Sequence, residues 1–111
     1  YKRVLDFVAE HFAKTITVEE LANVATLSPS HFSRLFKQTI GKSPMNFVTA
    51  YRVEQAKKNL SSMDLPLIDI ALDCGFADQA HFSRVFKQSE GITPKNYRAS
   101  LLKKQESSKT S

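Results

Sequence analysis

Two groups of side chains stand out by type and spacing. Arg34 and Lys37 follow His31 by three and six residues, and Arg84 and Lys87 follow His81 in the same way. Arginine carries a planar fork of donors that meets two acceptors at once, such as guanine O6 and N7, and lysine adds a mobile point charge. Ser30 and Ser33 accompany the first group, and Gln79, Ala80 and Ser83 the second. These are short side chains that let a backbone approach a surface, plus an amide that can pair with adenine. The chemistry this set can do is recognition of an anionic polymer with readable edges. Chemistry that makes or breaks bonds is not signalled. There is no nucleophile–base constellation, phosphate loop or carboxylate pair, so the chain is read as a non-enzyme with no cofactor. The single cysteine, Cys74, and three histidines give no zinc-ligand spacing, and Cys74 is expected as a small buried hydrophobe.

The elements that must hold these side chains follow from a repeat. His31–Gln38 and His81–Gln88 are identical at seven of eight positions, at an offset of 50. Gly41 matches Gly91, Ser43-Pro44 matches Thr93-Pro94, Asn46 matches Asn96, and Phe47 matches Tyr97. Leu21-Ala22 matches Ile70-Ala71 at an offset of 49, so the second copy has one extra residue in its turn. Two copies are too few for a solenoid and fit two related small units.

Local signals cut each unit into helices. Thr17 and Glu20 form a capping box. Ser28 before Pro29 opens the next helix, with an apolar stripe of Phe32, Leu35, Phe36 and Ile40, and Gly41 ends it. Ser43-Pro44 opens a longer helix with Phe47, Val48, Tyr51, Gln55, Ala56 and Leu60 on one face, ending near Ser61-Ser62. The second unit has a short helix from Leu67 to Cys74 with Ile70 and Ala71 inward, then a turn at Gly75-Phe76-Ala77. Asp78 caps a helix with Phe82, Val85 and Phe86, and Thr93-Pro94 opens the last helix, with Tyr97 and Leu101. A leading helix over about 2–14 carries Val4, Leu5, Val8 and Phe12. The expected fold is all-α: seven helices forming two helix-turn-helix subdomains, 1–42 and 63–102, joined by a linking helix over 43–62. A flexible polar tail is expected over 103–111.

A short helix, a tight turn and a second helix make the plan in which the second helix enters a DNA major groove. The charges sort accordingly. Glu19, Glu20, Asp69 and Asp73 lie on the first helices of the two motifs. Arg34, Lys37 and Lys42 meet no acid between 30 and 42, and Arg84, Lys87, Lys95 and Arg98 meet only Glu90 between 79 and 98. Such a face gains from counterion release on double-stranded DNA. Lys57-Lys58 and Lys103-Lys104 are read as solvated charges. The linking helix proper, from about 44 to 61, at ~1.5 Å per residue spans ~27 Å against ~34 Å for a turn of DNA, which suits two recognition helices in successive major grooves. The two copies differ at 29/79, 30/80 and 35/85, which predicts a non-palindromic site read by one chain.

These residues resemble a family. Ile70-Ala71, Cys74-Gly75-Phe76, His81 to Lys87, Gly91, Thr93-Pro94 and Tyr97-Arg98 together resemble the C-terminal DNA-binding domain of AraC/XylS-type transcription regulators, over about residues 3–102. The resemblance implies base contacts from Ser30, Ser33, Arg34, Gln79, Ala80, Ser83 and Arg84. It implies phosphate contacts near His31, Lys37, Asn46, His81, Lys87 and Asn96. It further implies an activator that touches RNA polymerase, and an effector-sensing or dimerisation domain elsewhere in a longer protein. The sequence departs from the pattern at Thr26, where the second copy has Gly75, and at Ala80, which is too small to hydrogen-bond. The alternative reading is a helical protein-interaction module docking on the transcription machinery.

Composition sets the outer bounds. The 111 residues carry 16 basic and 11 acidic side chains, a net charge of +5. Hydrophobic residues make up 41% of the chain, enough to close a core. Three glycines and four prolines argue for helices with short joints. No apolar run approaches the ~20 residues that span a bilayer, so no membrane partner is expected. The lone cysteine suits a reducing cytoplasm, and a start at Tyr1 predicts a piece of a longer or processed chain.

Overall fold

In a computed structural model of the chain, residues 1–110 are described, with side chains through residue 103. Seven helices and no strand are present among the described residues: α1 (Lys2–His11), α2 (Val18–Val24), α3 (Pro29–Ile40), α4 (Pro44–Leu60), α5 (Leu67–Asp73), α6 (Gln79–Glu90) and α7 (Pro94–Thr110). The leading helix stops at His11, short of the expected 14. Over the stretch expected as a tail, 103–111, the backbone continues α7 to Thr110, while the side chains from 104 and residue 111 lie outside the described residues.

The helix starts follow from their caps. Thr17 Oγ1 accepts from the Glu20 N–H at 3.2 Å, and Glu20 Oε1 accepts from the Thr17 N–H at 3.2 Å, so two otherwise orphaned donors are satisfied reciprocally. Ser28 caps α3 and Asp78 caps α6 by accepting from the N–H three residues on. Pro66 begins α5 without a side-chain cap.

The chain divides into two compact units, 1–52 and 53 onward, with the division inside α4 rather than at either end of it. The core of unit 1 gathers Val4, Val8, Ile16, Leu21, Ala22, Phe32, Phe36 and Val48. Leu5 is 37% exposed, because α1 turns the face of Val4, Phe7 and Val8 toward the core. The buried set of unit 2 is Val53, Ala56, Leu60, Ile70, Ala71, Cys74, Phe76, Phe82, Phe86 and Pro94. Each recognition-type helix is anchored by two fully buried phenylalanines, and the second ring of each pair meets an aromatic of the following helix edge-on, Phe36 on Phe47 and Phe86 on Tyr97, both at 5.5 Å. Such edge-to-face pairs add to the burial of the rings themselves.

Candidate nucleic-acid interface

In each unit the repeated cations lie on a single helix, α3 in unit 1 and α6 in unit 2, and each helix is fixed at both its ends. At the start of α3 the Ser28 hydroxyl accepts from the His31 N–H at 3.3 Å, and at the start of α6 the Asp78 carboxylate accepts from the His81 N–H at 2.7 Å. At the far ends Gly41 (φ 91°) and Gly91 (φ 82°) take the left-handed conformation and donate to the carbonyls of Lys37 and Lys87. A side chain with a Cβ rarely adopts that backbone, so the glycines fix both helices at twelve residues.

Between these stops one face is buried and the other is open. Phe32 and Phe36, like Phe82 and Phe86, have no exposed surface. On the opposite side Ser30, Arg34 and Lys37 are exposed and Ser33 is half-buried, and in the second copy Gln79, Ala80, Arg84 and Lys87 are exposed and Ser83 is half-buried. Among the described residues Arg34, Lys37, Arg84 and Lys87 make no ion pair, so their charge faces solvent. In unit 1 this face borders a shallow concavity of about 360 Å³, flanked by Val18 of α2 and by Pro44 and Met45 of α4. The two asparagines at the starts of the following helices are exposed, and their N–H groups donate to Ser43 Oγ at 3.3 Å and to Thr93 Oγ1 at 3.2 Å.

The paired histidines are not equivalent. His31 is exposed, whereas His81 is half-buried, with its ring edge-on to Phe76 at 5.7 Å. Its Nδ1 is buried without a hydrogen-bond partner, so Nε2 is the nitrogen left to meet another molecule.

Two cations, Arg98 read from sequence as part of the basic face and Lys57 read as solvated, are engaged elsewhere. The Arg98 guanidinium donates from Nε to the Leu60 carbonyl and from Nη2 to the Ser62 carbonyl, both at 3.2 Å. Lys57 pairs with Glu90 at 2.9 Å and Glu54 at 3.3 Å. Hydrogen bonding from Lys57 holds the Glu90 carboxyl below its usual range, and the same contact with Glu90 raises the Lys57 ammonium. The one acid in the basic stretch 79–98 is thereby neutralised from α4. Lys42, Lys58 and Lys95 remain exposed. Arg52, which sequence reasoning passed over, donates to two backbone carbonyls, from Nε to Phe12 at 2.8 Å and from Nη2 to Lys14 at 2.9 Å. Burial pushes the Cys74 thiol up to about 11, so it is a poor nucleophile at neutral pH. Among the described residues no three His, Cys, Asp or Glu side chains gather as a metal site, and no helix is long and apolar enough to cross a membrane.

Known proteins share this arrangement. Residues 21–100 match a family described as a helix-turn-helix domain. "Probable transcriptional regulator LumQ" of Photobacterium leiognathi is 36% identical over 75 residues, 68% of this chain and 30% of LumQ. The DNA-binding domain of AdpA, a global transcriptional factor solved in complex with a target DNA, matches with a TM-score of 0.83 at 30% identity over 89% of each chain. A transcriptional regulator of the AraC-type DNA-binding domain class from Chromobacterium violaceum matches with a TM-score of 0.83 at 25% identity, over 90% of this chain and 89% of that one. The chain spans less than a third of the length of the first curated relatives it matches. Two capped helices with the same cations outward, the family match across both motifs and these neighbours lead to one assignment: the chain belongs to the AraC-type helix-turn-helix family and is a DNA-binding domain of the transcription-regulator kind.

Proposed function

We propose that α3 and α6 each enter a major groove of one duplex and that a single chain reads a non-palindromic site with them. Ser30, Ser33 and Arg34 face base edges from α3, and Gln79, Ala80, Ser83 and Arg84 do so from α6. Ala80 serves by close approach or by contact with a thymine methyl. His31, Lys37, Asn46, His81, Lys87 and Asn96 lie along phosphates, which fix register without carrying sequence. The observation that supports this most is the outward, unpaired placement of Arg34 and Arg84 at the same position of two equally capped helices. A regulator of this kind works in the cytoplasm without chemistry of its own. In the longer protein a separate domain senses an effector or dimerises, and activation runs through contact with RNA polymerase.

Selection from random duplexes identifies the site, and two variants then test the assignment. Arg84→Ala is expected to lower specific affinity by ~1–3 kcal/mol and to relax one base position. Lys87→Ala is expected to weaken binding to all sequences and to reduce the salt slope by about one. Equal losses on selected and random duplex for both variants would remove the division of roles. A chain with no salt-dependent affinity for any duplex would leave the protein-docking alternative.

A further inference from the structure

Two arginines occupy unlike places in the repeat and end in the same contact. Arg52 lies eight residues past Pro44, whereas Arg98 lies four residues past Pro94. Each spans nearly forty residues of sequence to hydrogen-bond two carbonyls, Phe12 and Lys14 for Arg52, Leu60 and Ser62 for Arg98. In both cases the acceptors are two residues apart and lie where a helix ends, α1 in one unit and α4 in the other. The end of a helix leaves carbonyls without intrahelical partners and carries partial negative charge. A guanidinium fork matches two such oxygens where an ammonium meets one.

The same circuit closes in each unit. The chain runs through a leading helix, the first helix of the motif, the recognition helix and a following helix. The arginine then ties the following helix back to the end of the leading one. In unit 1 the circuit is α1, α2, α3 and the first half of α4, closed by Arg52. In unit 2 it is the second half of α4, then α5, α6 and α7, closed by Arg98. Three residues, 41–43 or 91–93, separate each recognition helix from the tied helix. Asn46 and Asn96, one turn into the tied helices, belong to the proposed phosphate line. A fixed tie therefore sets both how the glycine-stopped end of the recognition helix is held within its unit and where the next phosphate-facing group sits. The same contact made from non-equivalent sequence positions argues that this geometry is what is kept.

We propose that Arg52 and Arg98 are positioning residues for DNA recognition, each holding the pose of its recognition helix by tying the following helix to the leading helix. The proposal rests on the reading of α3 and α6 as the groove-entering helices. Neither guanidinium is a phosphate partner, although both count among the sixteen basic residues.

Arg52→Ala, Arg98→Ala and the two Lys variants are measured on the selected duplex and on random duplex across a salt series, well below each variant's unfolding midpoint. The Ala variants should lose about tenfold on the selected site, the equivalent of one to two lost hydrogen bonds, with random-duplex affinity and salt slope as in the parent. The Lys variants keep the charge and one carbonyl contact. They should lose about threefold with the same pattern, and they carry the test if an Ala variant does not fold. A loss equal on both duplexes with a slope lower by about one would make the arginines phosphate contacts and overturn the proposal. A lower unfolding midpoint with an unchanged ratio of selected to random affinity would make the tie a stabilising contact alone and overturn it equally. A parent chain that binds no duplex would remove the groove reading and this inference with it; a parent that binds, with Arg variants matching it, removes only the inference.

Discussion

α3 and α6 carry nearly the same residues, but they rest on different foundations. At the far end of α3, Ile40 packs half-buried against the apolar core of unit 1, whereas the equivalent Glu90 on α6 is an ion-pair partner of Lys57. Before α3 the chain turns through Thr26 at φ 58°, and before α6 it turns through Gly75 at φ 91°. A β-branched residue in the left-handed region is strained, and a glycine there is not. The Thr26 hydroxyl answers part of that strain by donating to the Ala25 carbonyl at 2.6 Å. Behind the turn Leu27 is half-buried, while its counterpart Phe76 is buried, lies 5.0 Å from Phe82 and crowds His81. A repeated, outward cationic face is thus held by an apolar, strained mounting in unit 1 and by a relaxed, partly ionic one in unit 2. The two units should answer to different perturbations.

The largest effects are expected in the part that the two units hold in common. Phe32→Ala and Phe82→Ala each remove a fully buried ring and should cost about 3–5 kcal/mol in chemical denaturation. Similar losses would confirm a shared core beneath unlike rims; a loss below about 1 kcal/mol at either position would show that one core is not built on its ring. Exchanging the turn residues comes next. Thr26→Gly should stabilise unit 1 by roughly 1 kcal/mol, and Gly75→Thr should destabilise unit 2 by about 1–2 kcal/mol. The same sign for both changes in thermal unfolding would refute the claim of strain at Thr26.

The smallest effect concerns charge. Because Lys57 lowers the folded-state pKa of Glu90, this carboxylate contributes stability that is fully present above the ordinary glutamate range. That contribution is lost as pH falls through the depressed folded value. The raised Lys57 acts in the opposite sense, its contribution being lost only at strongly alkaline pH. Glu90→Gln should therefore lower the unfolding midpoint near neutrality and in low salt, and the gap from the parent should close in acid and in high salt. A gap that persists in acid would mean that Glu90 acts through packing.

Much of this was legible in the sequence because it is local. A cap and the helix it starts lie within four residues of each other, so Thr17, Ser28, Ser43, Asp78 and Thr93 announced their helices, and Gly41 and Gly91 announced two stops. Period-3.6 spacing announced Phe32, Phe36, Phe82 and Phe86 as core and left the opposite face to Arg34 and Arg84. What escaped is non-local. Arg52, Arg98 and Lys57 are cations with partners more than thirty residues away, and composition does not say whether a cation meets a phosphate, a carboxylate or a carbonyl. Val53 escaped because it falls five residues after Val48, off the stripe read through Phe47, Val48 and Tyr51, although it shares a face with Ala56 and Leu60 at i+3 and i+7. The difference between His31 and His81 escaped because it depends on Phe76, read only as part of a turn.

The double duty of α4 bears on how such a molecule could come about. Its middle supplies the closing arginine of one circuit, and its end supplies the carbonyls that close the next. Copying about fifty residues is therefore enough to gain a second four-walled unit, since one continuous helix supplies the last wall of the first unit and the leading wall of the second. Ancestral duplication within such a frame is economical in coding length, and each later copy would inherit a ready-made seat.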